Sequence, residues 1–225
     1  MIGILAAMDS EVEAIKTVMD IKKIEETHPM TWIYGTISGK DVILTKCGVG
    51  KALAAMSTAL LCNKEKIEAL INVGVAGGLK NEQHVQDIVI SSKVIQADYD
   101  TSALDGKAGK GLVFDADSSL QEAAIRAADQ LQYPYHVGAI ASQDLFMARK
   151  EDFHKLMTDY PESVCSEMEA GAIGQVAKTF DIPFLVIRSL SDVVCHSDNP
   201  MEFSQYCAIA SKKAAAWIEA MLKTM

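Results

Sequence analysis

Cationic side chains are scarce in this sequence and its cysteines are scattered. Of 225 residues, 21 are Lys or Arg and 30 are Asp or Glu, a formal net charge of −9. No basic run offsets that balance. A nucleic-acid partner is thereby disfavoured, because such binding draws most of its affinity from cations that neutralise backbone phosphates. Aromatics make up 6% of the chain, which argues against base-stacking platforms and leaves Ala, Val, Ile, Leu and 11 Met to fill the interior. The five cysteines, Cys47, Cys62, Cys165, Cys195 and Cys207, are odd in number and contain no C-x-x-C pair, so neither a disulfide framework nor a zinc ribbon is indicated. The apolar run at residues 2–7 is too short for a signal-peptide core, lacks a preceding basic residue and is followed by Asp9 and Glu11. No apolar stretch approaches the ~20 residues of a membrane helix. These absences predict a cytoplasmic protein with no membrane and no nucleic-acid partner.

Short β-branched runs alternate with longer segments of helical period, and no composition shift marks a linker. Such alternation means an α/β fold, expected as one domain over 1–225. Strands are expected at 2–7, 69–73, 87–91, 137–142 and 184–189, with a hairpin between 31–38 and 42–46 around Gly39-Lys40. Ser10-Glu11-Val12-Glu13 reads as a capping box opening a helix with Val12, Ile15 and Met19 on one face. Further helices are expected from about 51 to 62, at 119–131 with its own capping box, at 150–159, at 169–180, and from Pro200 to nearly the end. The stretch 74–78 reads as a glycine turn and 98–111 as a long loop.

Ligands of open α/β sheets sit beyond the carboxyl ends of strands. Met8 and Glu11 follow the first strand there, and the turn containing Val75 and Ala76 follows the strand at 69–73. Asp144, Phe146 and Met147 follow 137–142, Glu167-Met168-Glu169 precedes the 169–180 helix, and Arg188, Ser191 and Asp192 close 184–189. Taken singly, Glu11 is accounted for by the helix dipole, Asp192 by a cap or turn, and Phe146 and Met147 by the core. Arg188 is harder to account for, since an arginine closing an apolar strand needs a carboxylate or ligand for its donors. Three other patterns fail. Gly48-Val49-Gly50-Lys51 has Thr45 and Ala52 where a phosphate loop needs Gly and Ser or Thr. The glycines at 74–78 lack dinucleotide spacing, and Ser102, Ser142 and Ser191 lack a G-x-S-x-G elbow. His28, His84, His136, His154 and His196 show no metal-ligand spacing and read as surface or loop residues.

GILAAMDSEV near the start, NVGVAGGL at 72–79, SEMEAGAIGQVA at 166–177 and VIRSLSDV at 186–193 resemble, in order, the matching segments of the 5′-methylthioadenosine/S-adenosylhomocysteine nucleosidases, within the purine nucleoside phosphorylase superfamily. The resemblance implies a central mixed, twisted sheet flanked by helices, a homodimer, no metal or other cofactor, and hydrolysis of the N-glycosidic bond of an adenine nucleoside. By that resemblance Asp192 protonates adenine at N7 and Glu11 is the general base for water. Glu169 holds the ribose hydroxyls, Met168 packs beneath the sugar, and Arg188, beside the site, is expected among the substrate-binding residues. Phe146 stacks on adenine, the Met147 backbone reads its edge, and Met8 and Val49 supply apolar lining.

The chemistry agrees with the residue types. Breaking a ribosyl–adenine bond builds positive charge on the sugar and negative charge on the base, so two carboxyl groups divide the work as in glycoside hydrolysis. The acid must keep its proton near neutral pH, which requires a site that raises its pKa. Two departures leave the preferred 5′ substituent open: Val75 stands where the family usually has a small hydroxyl residue, and 99–111 lacks the family's aromatic- and proline-containing loop that reaches the partner subunit. The alternatives are a nucleosidase for another 5′ substituent, a phosphate-dependent phosphorylase, which would need a cationic nest that the 8–13 and 72–78 segments lack, and a non-catalytic nucleoside-binding protein.

Overall fold

The computed structural model describes residues 1–194 and 199–225, with 199–205 described by backbone alone. Cys195 and His196 lie outside the described residues. The elements run β1 (Ile2–Ala6), α1 (Asp9–Lys16), β2 (Asp20–Thr27), β3 (Met30–Ile37), β4 (Lys40–Lys46), α2 (Lys51–Lys64), β5 (Ala69–Gly78), β6 (Ile88–Asp100) and α3 (Ser102–Asp105). They continue with β7 (Lys110–Asp115), α4 (Ser118–Leu131), β8 (Tyr135–Ser142), α5 (Lys150–Asp159), β9 (Ser163–Glu167), α6 (Ala170–Thr179), β10 (Phe184–Val193) and α7 (Asn199–Thr224).

All ten strands join one mixed sheet. β1 pairs in parallel with β4 and β5, while β4, β3 and β2 form an antiparallel meander that ends the sheet. The other half closes on itself: β5 pairs with β10, β10 with β6, β6 with β8, β8 with β9, and β9 returns to β5. One edge of β5 is occupied by β10 along 70–78. Its other edge meets β1 at 69–72 and β9 only at Gly77 and Gly78. The intervening stretch lies beyond the carboxyl end of β1, and the site opens there.

Both faces of the sheet are covered, which is why its inner strands read as continuous apolar runs. Strand side chains alternate between faces, so Ile4, Leu44, Ile71 and Ile187 join one core with Ile15, Ala124, Trp217 and Met221. Leu5, Ile43, Leu70 and Val186 join the other with Ala54, Leu61 and Ile173. α1, α4 and α7 pack together on the first face and α2 and α6 on the second. The buried Trp217 donates its indole N–H to the Ala124 carbonyl at 3.0 Å, satisfying the one polar atom its burial would otherwise strand.

Several expectations change. The hairpin turn is Ser38-Gly39, both at positive φ (49° and 80°), one residue earlier than read and as a tight two-residue hairpin requires. Residues 74–78 are not a turn but the second half of β5. The 98–111 segment is ordered: β6 runs to Asp100, then come α3, a short 3₁₀ turn and β7. The 184–189 strand extends to Val193, so Ser191 and Asp192 lie within β10. His136 lies on β8 with its ring 2.9 Å from the Asp87 carboxylate.

α4 begins one residue earlier than read, capped by Asp117 rather than by a serine box. Asp117 Oδ1 accepts from the Ser119 and Leu120 amides at 3.0 Å each. Asp117→Ala is expected to cost about 1 kcal/mol in urea denaturation while leaving activity unchanged, because this cap is remote from the site described next.

Candidate active site

The carboxyl ends of β1 and β8, the 74–77 stretch of β5, the β9–α6 junction and the end of β10 surround a cavity of about 220 Å³. It is lined by Met8, Glu11, Val49, Val75, Ala76, Phe146, Met147, Met168, Glu169, Ser191 and Asp192 among others. Every proposed site residue except Arg188 therefore meets there.

Glu11 is the third residue of α1, and its carboxylate reaches back to the helix start. Oε2 accepts from the Ala7 and Met8 amides at 2.8 and 2.9 Å, and Oε1 from the Val75 amide at 3.0 Å. The capping box expected at Ser10–Glu13 does not form: α1 starts at Asp9 after Met8, and Glu11 rather than Glu13 reaches back to the amide that precedes the helix, while Glu13 pairs with Lys16. The same carboxylate lines the cavity and is 3% exposed. Burial raises its pKa, opposed by the positive charge of Arg188 and by the three backbone donors.

Gly74 explains how Glu11 comes so near β5. A Cβ there would lie 2.7 Å from Glu11 Oε1, closer than side chains pack. Gly77 plays the same part for Asp192, whose Oδ2 would lie 3.1 Å from an added Cβ. Two of the glycines read as a turn, Gly74 and Gly77, are therefore positions where a strand must admit carboxylates.

Asp192 is brought to the cavity by an irregularity of its strand. The register of β10 against β5 shifts between Leu190 and Asp192, and such a bulge changes which face a side chain meets. Leu190 remains in the core, while Ser191 and Asp192 both line the cavity. Ser191 Oγ donates to Asp192 Oδ1 at 2.7 Å, and Asp192 is 3% exposed.

Arg188 corrects the expectation of a substrate contact. It is 1% exposed and sits behind the cavity wall. Its guanidinium donates to Glu167 Oε2 at 2.5 Å, to the Asn72 side chain and carbonyl, and to the Ile187 carbonyl, with Glu169 4.0 Å away. Its donors are thus met mainly by protein, and its charge serves the surrounding carboxylates.

Glu167 was noted in the sequence as a carboxylate at a helix start but not as a site residue. It lies on the short polar strand β9, and it both lines the cavity and anchors the junction. Glu167 Oε2 accepts from the Glu169 and Ala170 amides at 3.0 and 2.8 Å, while Oε1 accepts from Ser142 Oγ. Glu169, fixed beside it, accepts from the Gly50 amide at 2.9 Å. Burial raises the Glu169 pKa, Glu167 raises it further, and Arg188 opposes both. Ala7, Gly77, Leu145, Ser166 and Val194 complete the lining; they carry no titratable group by which the sequence could single them out. Phe146 stands at the rim, 45% exposed, with Met147 buried beside it.

The arrangement brings four buried carboxyl groups, Glu11, Glu167, Glu169 and Asp192, to one cavity with an aromatic rim, within apolar surroundings that suit a flat heterocycle. Comparison with known proteins agrees. The phosphorylase superfamily profile matches residues 1–223. The 5′-methylthioadenosine/S-adenosylhomocysteine nucleosidase of Marinomonas sp. is 36% identical over 229 residues, covering 99% of this chain and 98% of that protein. The nucleosidase of the same name from Colwellia psychrerythraea, solved with adenine, is 33% identical, with a TM-score of 0.92 and coverage of 99% and 94%. That of Neisseria meningitidis, solved with methylthio-immucillin-A, has a TM-score of 0.94 at 29% identity and covers 100% of this chain and 99% of its own. The chain belongs to the 5′-methylthioadenosine/S-adenosylhomocysteine nucleosidases of the phosphorylase superfamily.

Proposed function

We propose that the protein hydrolyses the N-glycosidic bond of 5′-methylthioadenosine and S-adenosylhomocysteine, with Asp192 as general acid and Glu11 as general base. The carrying observation is that both side chains are buried and line one cavity rimmed by Phe146. Asp192 gives its proton to adenine N7 as the bond from C1′ to N9 breaks. A water adds its oxygen to C1′ and passes a proton to Glu11, leaving adenine and the 5′-thioribose. Glu169 holds the ribose hydroxyls over Met168, Phe146 stacks on the base, and Met147 reads its edge through backbone groups. Val49 and Met8 line the apolar side, and no cofactor enters the reaction.

Water is favoured over phosphate as the nucleophile because no Lys or Arg among the described residues lines the cavity, and a phosphate would meet Glu11 and Glu169. The test is release of adenine from methylthioadenosine in phosphate-free buffer. Sustained turnover is expected, and strict dependence on phosphate would make the protein a phosphorylase instead.

The partner we assign is a second copy of the chain. Val49, Leu53, Met56 and Leu60 are exposed along α2 and its start, and Val49 shares the cavity lining with exposed Leu145 and Phe146. An apolar stripe continuous with an active site suits a subunit contact. The cytoplasmic assignment rests on the scattered cysteines. No helix among the described residues is long and apolar enough to cross a membrane.

A further inference from the structure

α2 starts where two walls of the cavity meet. Gly50 precedes it at φ +95°, a conformation that favours glycine. The Gly50 amide donates to Glu169, and the Lys51 amide donates to Asp144 Oδ1 at 2.8 Å. The Lys51 side chain then turns away from the helix. Its Nζ lies 2.5 Å from Asp98 Oδ1 and 3.4 Å from Gln96 Oε1, both on β6. Asp98 Oδ2 accepts from the Asp144 amide at 2.9 Å. Lys51, Asp98 and Asp144 thus form a closed ring.

A lysine in a first helical turn is opposed by the helix dipole, so this position disfavours Lys unless its charge is met elsewhere. Here it is met by Asp98, and the lysine side chain is only 17% exposed. The ring lies between two parts of the site. Asp144 is two residues before Phe146, and the Gly50 amide beside Lys51 orients Glu169. The lysine of a failed phosphate-loop pattern therefore joins the adenine side of the cavity to the ribose side.

We propose that Lys51, through its ion pair with Asp98, is a positioning residue for nucleoside binding. It holds the segment bearing Phe146 and Met147 against the start of α2, and so sets KM rather than the bond-breaking step. The inference rests on the nucleosidase reading above.

The test uses the full chain with Lys51→Met, Lys51→Arg, Asp98→Asn and the Lys51→Met/Asp98→Asn pair. Loss of one charge-assisted bond is expected to raise KM for methylthioadenosine about tenfold in Lys51→Met, with kcat within about twofold. Lys51→Arg should restore KM, and the double variant should be no worse than Lys51→Met, since the two residues act as one unit. Amide exchange across 144–147 should accelerate in Lys51→Met and recover in Lys51→Arg. An unchanged KM, or a fall in kcat alone, in a background where the wild type turns over would overturn the proposal. If the wild type does not cleave the nucleoside, the nucleosidase reading fails and the exchange measurement decides the ring's role: unchanged exchange refutes it, and accelerated exchange restored by Arg sustains it. If Lys51→Met does not fold, Asp98→Asn carries the same two measurements.

Discussion

Asp192→Asn is expected to lower kcat by about 10³-fold while nucleoside binding, measured by calorimetry, stays within about threefold of wild type. The substitution keeps the shape of the side chain and an acceptor for Ser191 Oγ, which donates to Oδ1 at 2.7 Å. It removes the proton that the departing adenine needs. Burial at 3% exposure leaves little bulk water to supply that proton instead. A variant retaining activity within about tenfold of wild type would remove Asp192 from the acid role. Ser191→Ala separates chemistry from placement: it removes one hydrogen bond that places Asp192 without removing its proton, so a smaller loss of about tenfold is expected.

Much of this fold was legible because apolar period and strand burial coincide. Residues 150–159 are the α5 helix, and 2–7 and 137–142 fall on β1 and β8 within two residues at each end. What escaped has physical causes. β2 reads DIKKIEET and is exposed almost throughout, an edge strand without the alternation that reveals half-buried ones. β9 is short and polar because its residues serve the cavity and the α6 start rather than a core alone. The glycines of 74–78 imitate a turn, although at Gly74 and Gly77 the missing side chain makes room for Glu11 and Asp192. That meaning depends on residues more than 60 positions away in one case and more than 110 in the other, and no local pattern carries it. The site was more legible than its scaffold. Carboxylates collected at strand ends did converge, yet Arg188 was placed one layer too far forward. From sequence, a donor that needs a carboxylate and a donor that needs a ligand look alike. Only the Glu167 and Asn72 contacts distinguish them.

Glu11→Gln is the second variant with a large expected effect, about 10³-fold in kcat, and its pH dependence identifies the cause. Both Glu11 oxygens already accept backbone amides, Oε2 from Ala7 and Met8 and Oε1 from Val75. A glutamine must therefore turn its own N–H groups toward one set of these donors. Some of the loss would then be structural, and amplitude alone cannot assign the base. The pH profile can. A base must be ionised to take a proton from water, so wild-type activity falls as pH drops through the Glu11 pKa. Burial raises that pKa, which places the acid limb above the ordinary carboxylate range. In Glu11→Gln that limb should vanish from the residual activity; a limb that stays in place would assign the base to another group. Stability runs the opposite way. A raised native pKa means the folded state holds its proton more tightly than the unfolded chain, so this contribution is complete below the unfolded value and lost as pH rises through the native one. Relative to wild type, Glu11→Gln should therefore gain stability as pH rises through the raised native pKa of Glu11, because the variant no longer buries an ionised carboxylate.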